Sequence, residues 1–103
     1  MRYEIILAPE AIDDLHRLKG NVRATVEDAL ETHLRHGPTR TSKSRIKRLR
    51  GFSRPQYRLR VDDVRVFYDV EEGVVQVLAI VAKPEAREWL DQMGERDEDS
   101  SSE

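Results

Sequence analysis

The sequence predicts an α+β domain: an N-terminal strand, then an αα-hairpin packed on one face of a mostly antiparallel sheet, then a short C-terminal helix. Three observations predict it. Apolar residues recur at helical spacing between Pro9 and Leu34. From Tyr57 to Val81 they alternate or run together at strand spacing, broken by Asp62-Asp63 and Glu71-Glu72-Gly73. The chain has 103 residues, enough for one core but not two.

Taken in order, Tyr3, Ile5 and Leu7 alternate with Arg2, Glu4 and Ile6 in a short strand that ends at Ala8-Pro9. Pro9 suits the first position of a helix, and Glu10 complements the helix dipole. Ile12, Leu15 and Leu18 form its apolar stripe. Gly20 is expected to end that helix and Asn21 to cap the next. Val22, Val26, Ala29, Leu30 and Leu34 share one face of the second helix, which Gly37-Pro38 stops. A polar basic connector, Thr39 to Arg45, leads to a short strand around residues 47–50. Strands Tyr57–Val61, Val64–Val70 and Val74–Val81 follow. The last is nearly all apolar, as expected of a central strand covered on both faces. Glu85 to Met93 can form one short helix. The domain is therefore expected to span 1–93, with 94–103 an acidic, compositionally disordered tail.

Composition removes several function classes. With no cysteine there is no disulfide, thiolate metal site or cysteine nucleophile. The longest apolar run, Val77 to Ala82, is too short to span a bilayer, and the N-terminus lacks a signal-peptide layout. A cytoplasmic protein without a membrane partner is expected. The formal net charge of −2 conceals segregation: residues 35–65 carry eleven Lys/Arg against two Asp, while both flanks are acidic. Such a basic middle is an electrostatic footprint for a polyanion; its bland counterpart is a solvated surface.

Within that stretch, Tyr57-Arg-Leu-Arg-Val-Asp-Asp-Val-Arg-Val-Phe-Tyr68 places Arg58, Arg60 and Arg65 on one face of a hairpin. With Asp62-Asp63 as a two-residue loop, Arg60 lies opposite Arg65. Like charges directly opposed across a sheet destabilise it, so the cluster asks for an anion. The helices must cover the other face, carrying Tyr57, Leu59, Val61, Val66 and Tyr68. What remains is a basic concavity with Phe67, closed at one end by Lys83 and the last helix, without a deep apolar pocket. That shape suits an extended polyanion.

Leu49-Arg50-Gly51, Tyr57-Arg-Leu-Arg-Val61, Val64-Arg-Val-Phe-Tyr68 and Ile80 to Lys83 before a last helix resemble the RelE/ParE superfamily of toxins, over roughly residues 2 to 92. These are the toxin halves of type II toxin–antitoxin modules, and the series looks more like the RelE branch than the ParE branch. The resemblance implies a ribosome-dependent mRNA endoribonuclease that acts in the ribosomal A site without metal or cofactor. It also implies a cognate antitoxin, through which alone operator DNA is bound. The ParE branch poisons DNA gyrase, and a catalytically inactive RNA- or antitoxin-binding relic is a further alternative.

Carried onto this chain, the resemblance places Arg58 and Arg60 against the mRNA backbone and Arg65 on the scissile phosphate. Guanidinium groups can stabilise the charge that builds when a ribose 2′-hydroxyl attacks the adjacent phosphate. The family often adds an arginine after the last strand and a tyrosine or histidine near the C-terminus. Here Pro84 and Leu90 take those places, beside Lys83 and Trp89. The general acid/base stays open between Lys83, if neighbouring arginines depress its pKa, and Glu85.

Lys43, Arg45, Lys47, Arg48 and Arg50 are candidates to hold RNA, including ribosomal RNA, through phosphate contacts that read no sequence. Phe67 and Trp89 are candidates to stack a base, or else to cover the sheet and anchor the last helix. His16, His33 and His36 lie on or just after the helices, away from the basic face, and read as surface histidines.

Overall fold

The computed structural model describes residues 1–97. The chain runs β1 (Glu4–Leu7), α1 (Pro9–Arg17), α2 (Gly20–Ala29), β2 (Ile46–Arg48), β3 (Phe52–Arg54), β4 (Tyr57–Val61), β5 (Val64–Glu71), β6 (Val74–Ala82), α3 (Ala86–Met93) and β7 (Glu95–Arg96). Five strands form one sheet in the order β1-β6-β5-β4-β2, antiparallel except for the β1/β6 pair. The expected α+β architecture is the observed one.

The helical hairpin differs from expectation in detail. The buried stripe of α1 is Ala11 and Leu15, extended by half-buried Leu18, while Ile12 is 42% exposed. Ala11, Leu15 and Leu18 follow the i, i+4, i+7 rule, and Ile12 falls off that line. Gly20 opens α2 instead of closing α1, and Asn21 makes no capping bond. The end of α1 is sealed from outside: the Arg23 guanidinium donates to the carbonyls of Leu15 (3.2 Å), His16 (2.9 Å) and Leu18 (3.1 Å). A fork of donors satisfies the orphan carbonyls that a C-terminal glycine motif otherwise handles. Beyond Ala29 the helix widens into a π-helical turn, Leu30–Leu34, which keeps Leu30 and Leu34 both buried.

The hairpin lies on the sheet face that carries Leu59, Val61, Val66 and Tyr68, as expected, and these pack with Ala11, Leu15, Val26 and Leu34 in one core. Full burial of each large side chain contributes about 1.5–3 kcal/mol. Tyr68 stacks on Tyr57 at 5.5 Å between ring centroids, and its hydroxyl donates to the Pro38 carbonyl at 2.6 Å. That bond pins the start of the basic connector. Past Val77 the β6 edge no longer pairs with β1; there Asp14 of α1 accepts the Ile80 amide at 2.9 Å. A buried edge donor is thus satisfied by a side chain.

Three features were not legible in the residues. A β-bulge at Leu78 makes Tyr68 pair with Val77 directly after Phe67 pairs with Ala79. It shifts the parity of β6, so that Val75, Val77 and Ile80 all face the helices. The second is β3, tied through Asp69, whose carboxylate accepts the Gln56 amide at 2.7 Å and lies 3.2 Å from Arg54 Nε. Burial pushes this carboxyl up against the opposing pull of those two donors. The third is β7, which pairs with β3, so regular structure continues past the expected boundary at residue 93. A Cβ on Gly94 would come within 2.7 Å of the Leu90 carbonyl and 2.8 Å of the Phe52 ring, so only glycine lets the chain turn back there. The rest of the expected acidic tail, residues 98–103, lies outside the described residues.

Candidate nucleic-acid interface

On the sheet face away from the helices, cross-strand pairing builds two rows. Lys47 of β2 lies opposite Arg58 of β4, Arg58 opposite Phe67 of β5, and Phe67 opposite Ala79 of β6. In the next row Arg60 lies opposite Arg65, and Arg65 opposite Val81. The expected Arg60/Arg65 pair is therefore present. Its cause is the tight Asp62-Asp63 loop, in which Asp62 takes a left-handed φ of 51° that aspartate tolerates better than most residues.

The apolar half of these rows is closed. Phe67, Ala79, Phe52 and Leu90 form a second small core, joined by Leu49, Val81, Ala86 and Trp89. Trp89 stacks on Phe67 with centroids 4.8 Å apart and rings 8° from parallel. Phe67 is fully buried beneath it. The expectation that Phe67 stacks a base is corrected here: its exposed ring face is already taken by Trp89. Trp89 itself anchors α3 to the sheet and is only partly buried.

The basic half is open and electrostatically unsettled. Among the described residues no carboxylate lies within salt-bridge distance of Lys47, Arg58, Arg60 or Arg65. Arg58 Nε is buried and has no hydrogen-bond partner among the described residues. Burial, followed by the charges of Arg65 and Arg60, pushes its guanidinium below the ordinary arginine value. An unsatisfied buried donor of this kind costs about 1–3 kcal/mol, more when charged. Arg65 is more deeply placed than the sequence implied, only 7% exposed, because its side chain folds along the hairpin loop. There Nη1 donates to the carbonyls of Asp62 (2.8 Å) and Val64 (3.1 Å). An anion on this face would meet a pre-positioned row of donors.

The other candidates divide by where the strands carry them. Lys83 begins the 3-10 turn after β6, and its amide donates to the Asp63 carbonyl at 2.7 Å. That bond brings Lys83, with Glu85 in the same turn, to the Arg60/Arg65 end of the sheet. Arg45 precedes β2 beside Arg60, whose amide donates to the Arg45 carbonyl at 2.8 Å; together with Ser44 and Asp62 they line a polar hollow of about 190 Å³. Lys43 and Arg50 are exposed in the connector and in the β2–β3 turn, outside the two rows. Arg48 lies apart from the two rows. It pairs with Tyr57 on the helix side of the sheet and lies over that ring at 5.4 Å. Its Nη1 donates to the carbonyls of Gln56 (2.8 Å) and Leu49 (3.1 Å). One residue along a strand is enough to change the face.

Residues 5–85 match the family model described as the ParE toxin of the type II toxin–antitoxin system, parDE. The chain belongs to the RelE/ParE toxin superfamily. Solved structures agree on the fold of this toxin. A chain of the archaeal RelE–RelB complex from Pyrococcus horikoshii OT3 is 22% identical with a TM-score of 0.66, over 81% of this chain and 97% of that one. A mutant Escherichia coli toxin RelE in the free state is 24% identical with a TM-score of 0.67, over 88% and 93%. The toxin–antitoxin complex RelBE2 from Mycobacterium tuberculosis includes a chain 23% identical with a TM-score of 0.63, over 80% and 99%. At such identities the likeness establishes the fold. The curated proteins include no match. No helix among the described residues of the toxin is long and apolar enough to cross a membrane.

Proposed function

We propose that this toxin is a ribosome-dependent mRNA endoribonuclease, held inactive by a cognate antitoxin. The observation that carries the reading is the buried Arg58 Nε, without a hydrogen-bond partner among the described residues, within a group of four cations that no described carboxylate neutralises. A site held in that state is stabilised by a phosphate and by little else. Lys47, Arg58 and Arg60 hold the backbone on either side of the cut. Arg65, braced by the loop carbonyls, supplies donors to the phosphate as the 2′-hydroxyl attacks and charge builds on its oxygens. Arginines keep their protons at any working pH, so proton transfer falls to Lys83 or Glu85 at the same end of the sheet. Complexes of RelE with RelB among the structural relatives support an antitoxin as the partner of this chain too.

One observation favours a second reading. The matching family model is that of ParE, the branch associated with gyrase poisoning. Inducing the toxin in a bacterium and mapping mRNA 5′ ends separates the two. Codon-phased cuts inside translated frames are expected. Intact messages together with failing DNA supercoiling would instead assign the toxin to gyrase.

A further inference from the structure

A hollow of about 320 Å³ lies around the edge strand β2 from the basic rows, between the end of the second helix and the connector. Thr32, His33 and His36 line one wall; Arg40, Ser42 and Arg45 line the other. The sequence separates these groups and marks the histidines as unremarkable surface. The fold brings them together in three ways. The π-helical turn Leu30–Leu34 carries Thr32 and His33 into the wall, and such turns recur at functional sites. Arg40 folds over Gly37, its Cζ 3.9 Å from where a Cβ there would stand, and its amide donates to the Gly37 carbonyl at 3.1 Å. Ser42 Oγ accepts the Arg45 amide at 3.0 Å, which fixes the far wall.

Neither Arg40 nor Arg45 has a carboxylate within salt-bridge distance among the described residues. The helix end behind the hollow supplies the equivalent of about half a negative charge, less than two guanidinium groups carry. Arg45 also lines the smaller hollow that contains Arg60. Arg45 therefore links the two hollows, with Arg60 beside it in one, where Asp62 also lines the wall, and Arg40 and the two histidines in the other.

We infer that this hollow is a second phosphate seat, built from His33, His36, Arg40 and Arg45, that takes a backbone phosphate of the same RNA chain as it leaves the open face and rounds the β2 edge. Two arginines give forked, permanently charged donors, and imidazole and hydroxyl groups complete a phosphate's acceptor shell. The inference rests on RNA being the ligand of the open face.

The test uses the full chain with two probes. Inorganic phosphate is titrated while the His33 and His36 imidazole signals are followed by NMR. A 2′-O-methyl oligoribonucleotide, which cannot be cut by its own 2′-oxygen, is titrated by fluorescence anisotropy at several salt concentrations. Both histidine signals are expected to shift saturably with phosphate, and Arg40→Gln to abolish the shift. The same variant should weaken oligonucleotide binding about fivefold near 0.1 M salt and lower the salt slope by about 0.7, the signature of one lost single-strand phosphate contact. Histidine signals that ignore phosphate would overturn the site. Phosphate binding with unchanged oligonucleotide affinity in Arg40→Gln would mark it as a seat for free phosphate and overturn the RNA assignment. Arg58→Ala serves as the reference. If it leaves oligonucleotide binding intact while Arg40→Gln still abolishes the phosphate shift, the open-face reading has failed and the hollow has not.

Discussion

Leu59 and Arg60 are one peptide apart on β4 and sit in opposite environments. Leu59 is fully buried under the helical hairpin among Val66, Tyr68 and Val26. Arg60 is exposed on the other face, directly opposite Arg65. Every strand of the hairpin repeats the division: Val61 and Val66 inward, Arg58 and Arg65 outward. The helix-covered face is settled: its buried side chains are apolar or, for Tyr68, bonded through the hydroxyl. The open face is unsettled by design of the pairing, with like charges opposed and a guanidinium nitrogen buried without a partner. The larger apolar core lies on one side of a single layer of backbone, and the opposed cations lie on the other, beside a smaller apolar cluster.

That contrast can be broken from the open side first. Arg58→Met should lower RNA cleavage by about 10²–10³, the typical loss of one transition-state donor. Its melting temperature should hold or rise, since replacing a buried, uncompensated charge by an apolar side chain is often neutral or stabilising. A melting temperature that drops would show that Arg58 is structural and would undo the contrast. On the other side, Leu59→Ala should cost about 2–5 kcal/mol of unfolding free energy in denaturant titration. When expressed at a temperature where it stays folded, its cleavage per folded molecule should be near normal. Gly94→Ala probes the apolar half of the open face. The new Cβ would collide with the Phe52 ring and the Leu90 carbonyl, costing about 1–3 kcal/mol and loosening amide-exchange protection in β3 and β7 first.

The smallest effect is in acid. Burial and then Arg45 hold His33 below its ordinary value of 6.5, against a weaker opposing pull from Asp28. The unfolded chain therefore binds more protons just below that value, so stability should rise with pH through this window and level off above it. His33→Gln should flatten that part of the profile. A slope that persists in the variant would assign it to another group.

Much of the fold was legible because its signals are local. The helical spacing of Val26, Ala29, Leu30 and Leu34, the alternation through Tyr57–Val61 and Val64–Tyr68, and the Asp62-Asp63 loop each declare an element and a face. The bulge at Leu78 was hidden because β6 is apolar from Val77 to Ala82, and a parity shift leaves no trace where both faces accept the same residues. β3 and β7 were hidden for a different reason. They are three and two residues long, and pairing between positions so far apart along the chain has no sequence period.

For the site the split is similar. The sequence by itself determined that Arg58, Arg60 and Arg65 share a face and that Arg60 meets Arg65, because strand alternation and a two-residue loop leave no freedom. Only the tertiary structure decided that Trp89 covers Phe67, that Arg48 points to the helix side, and that Arg65 folds onto its own loop. It alone brought His33 and His36 round to face Arg40 and Arg45. Those outcomes depend on where separate elements dock, and docking is set by the shape and area of whole surfaces rather than by the spacing of residues along one of them.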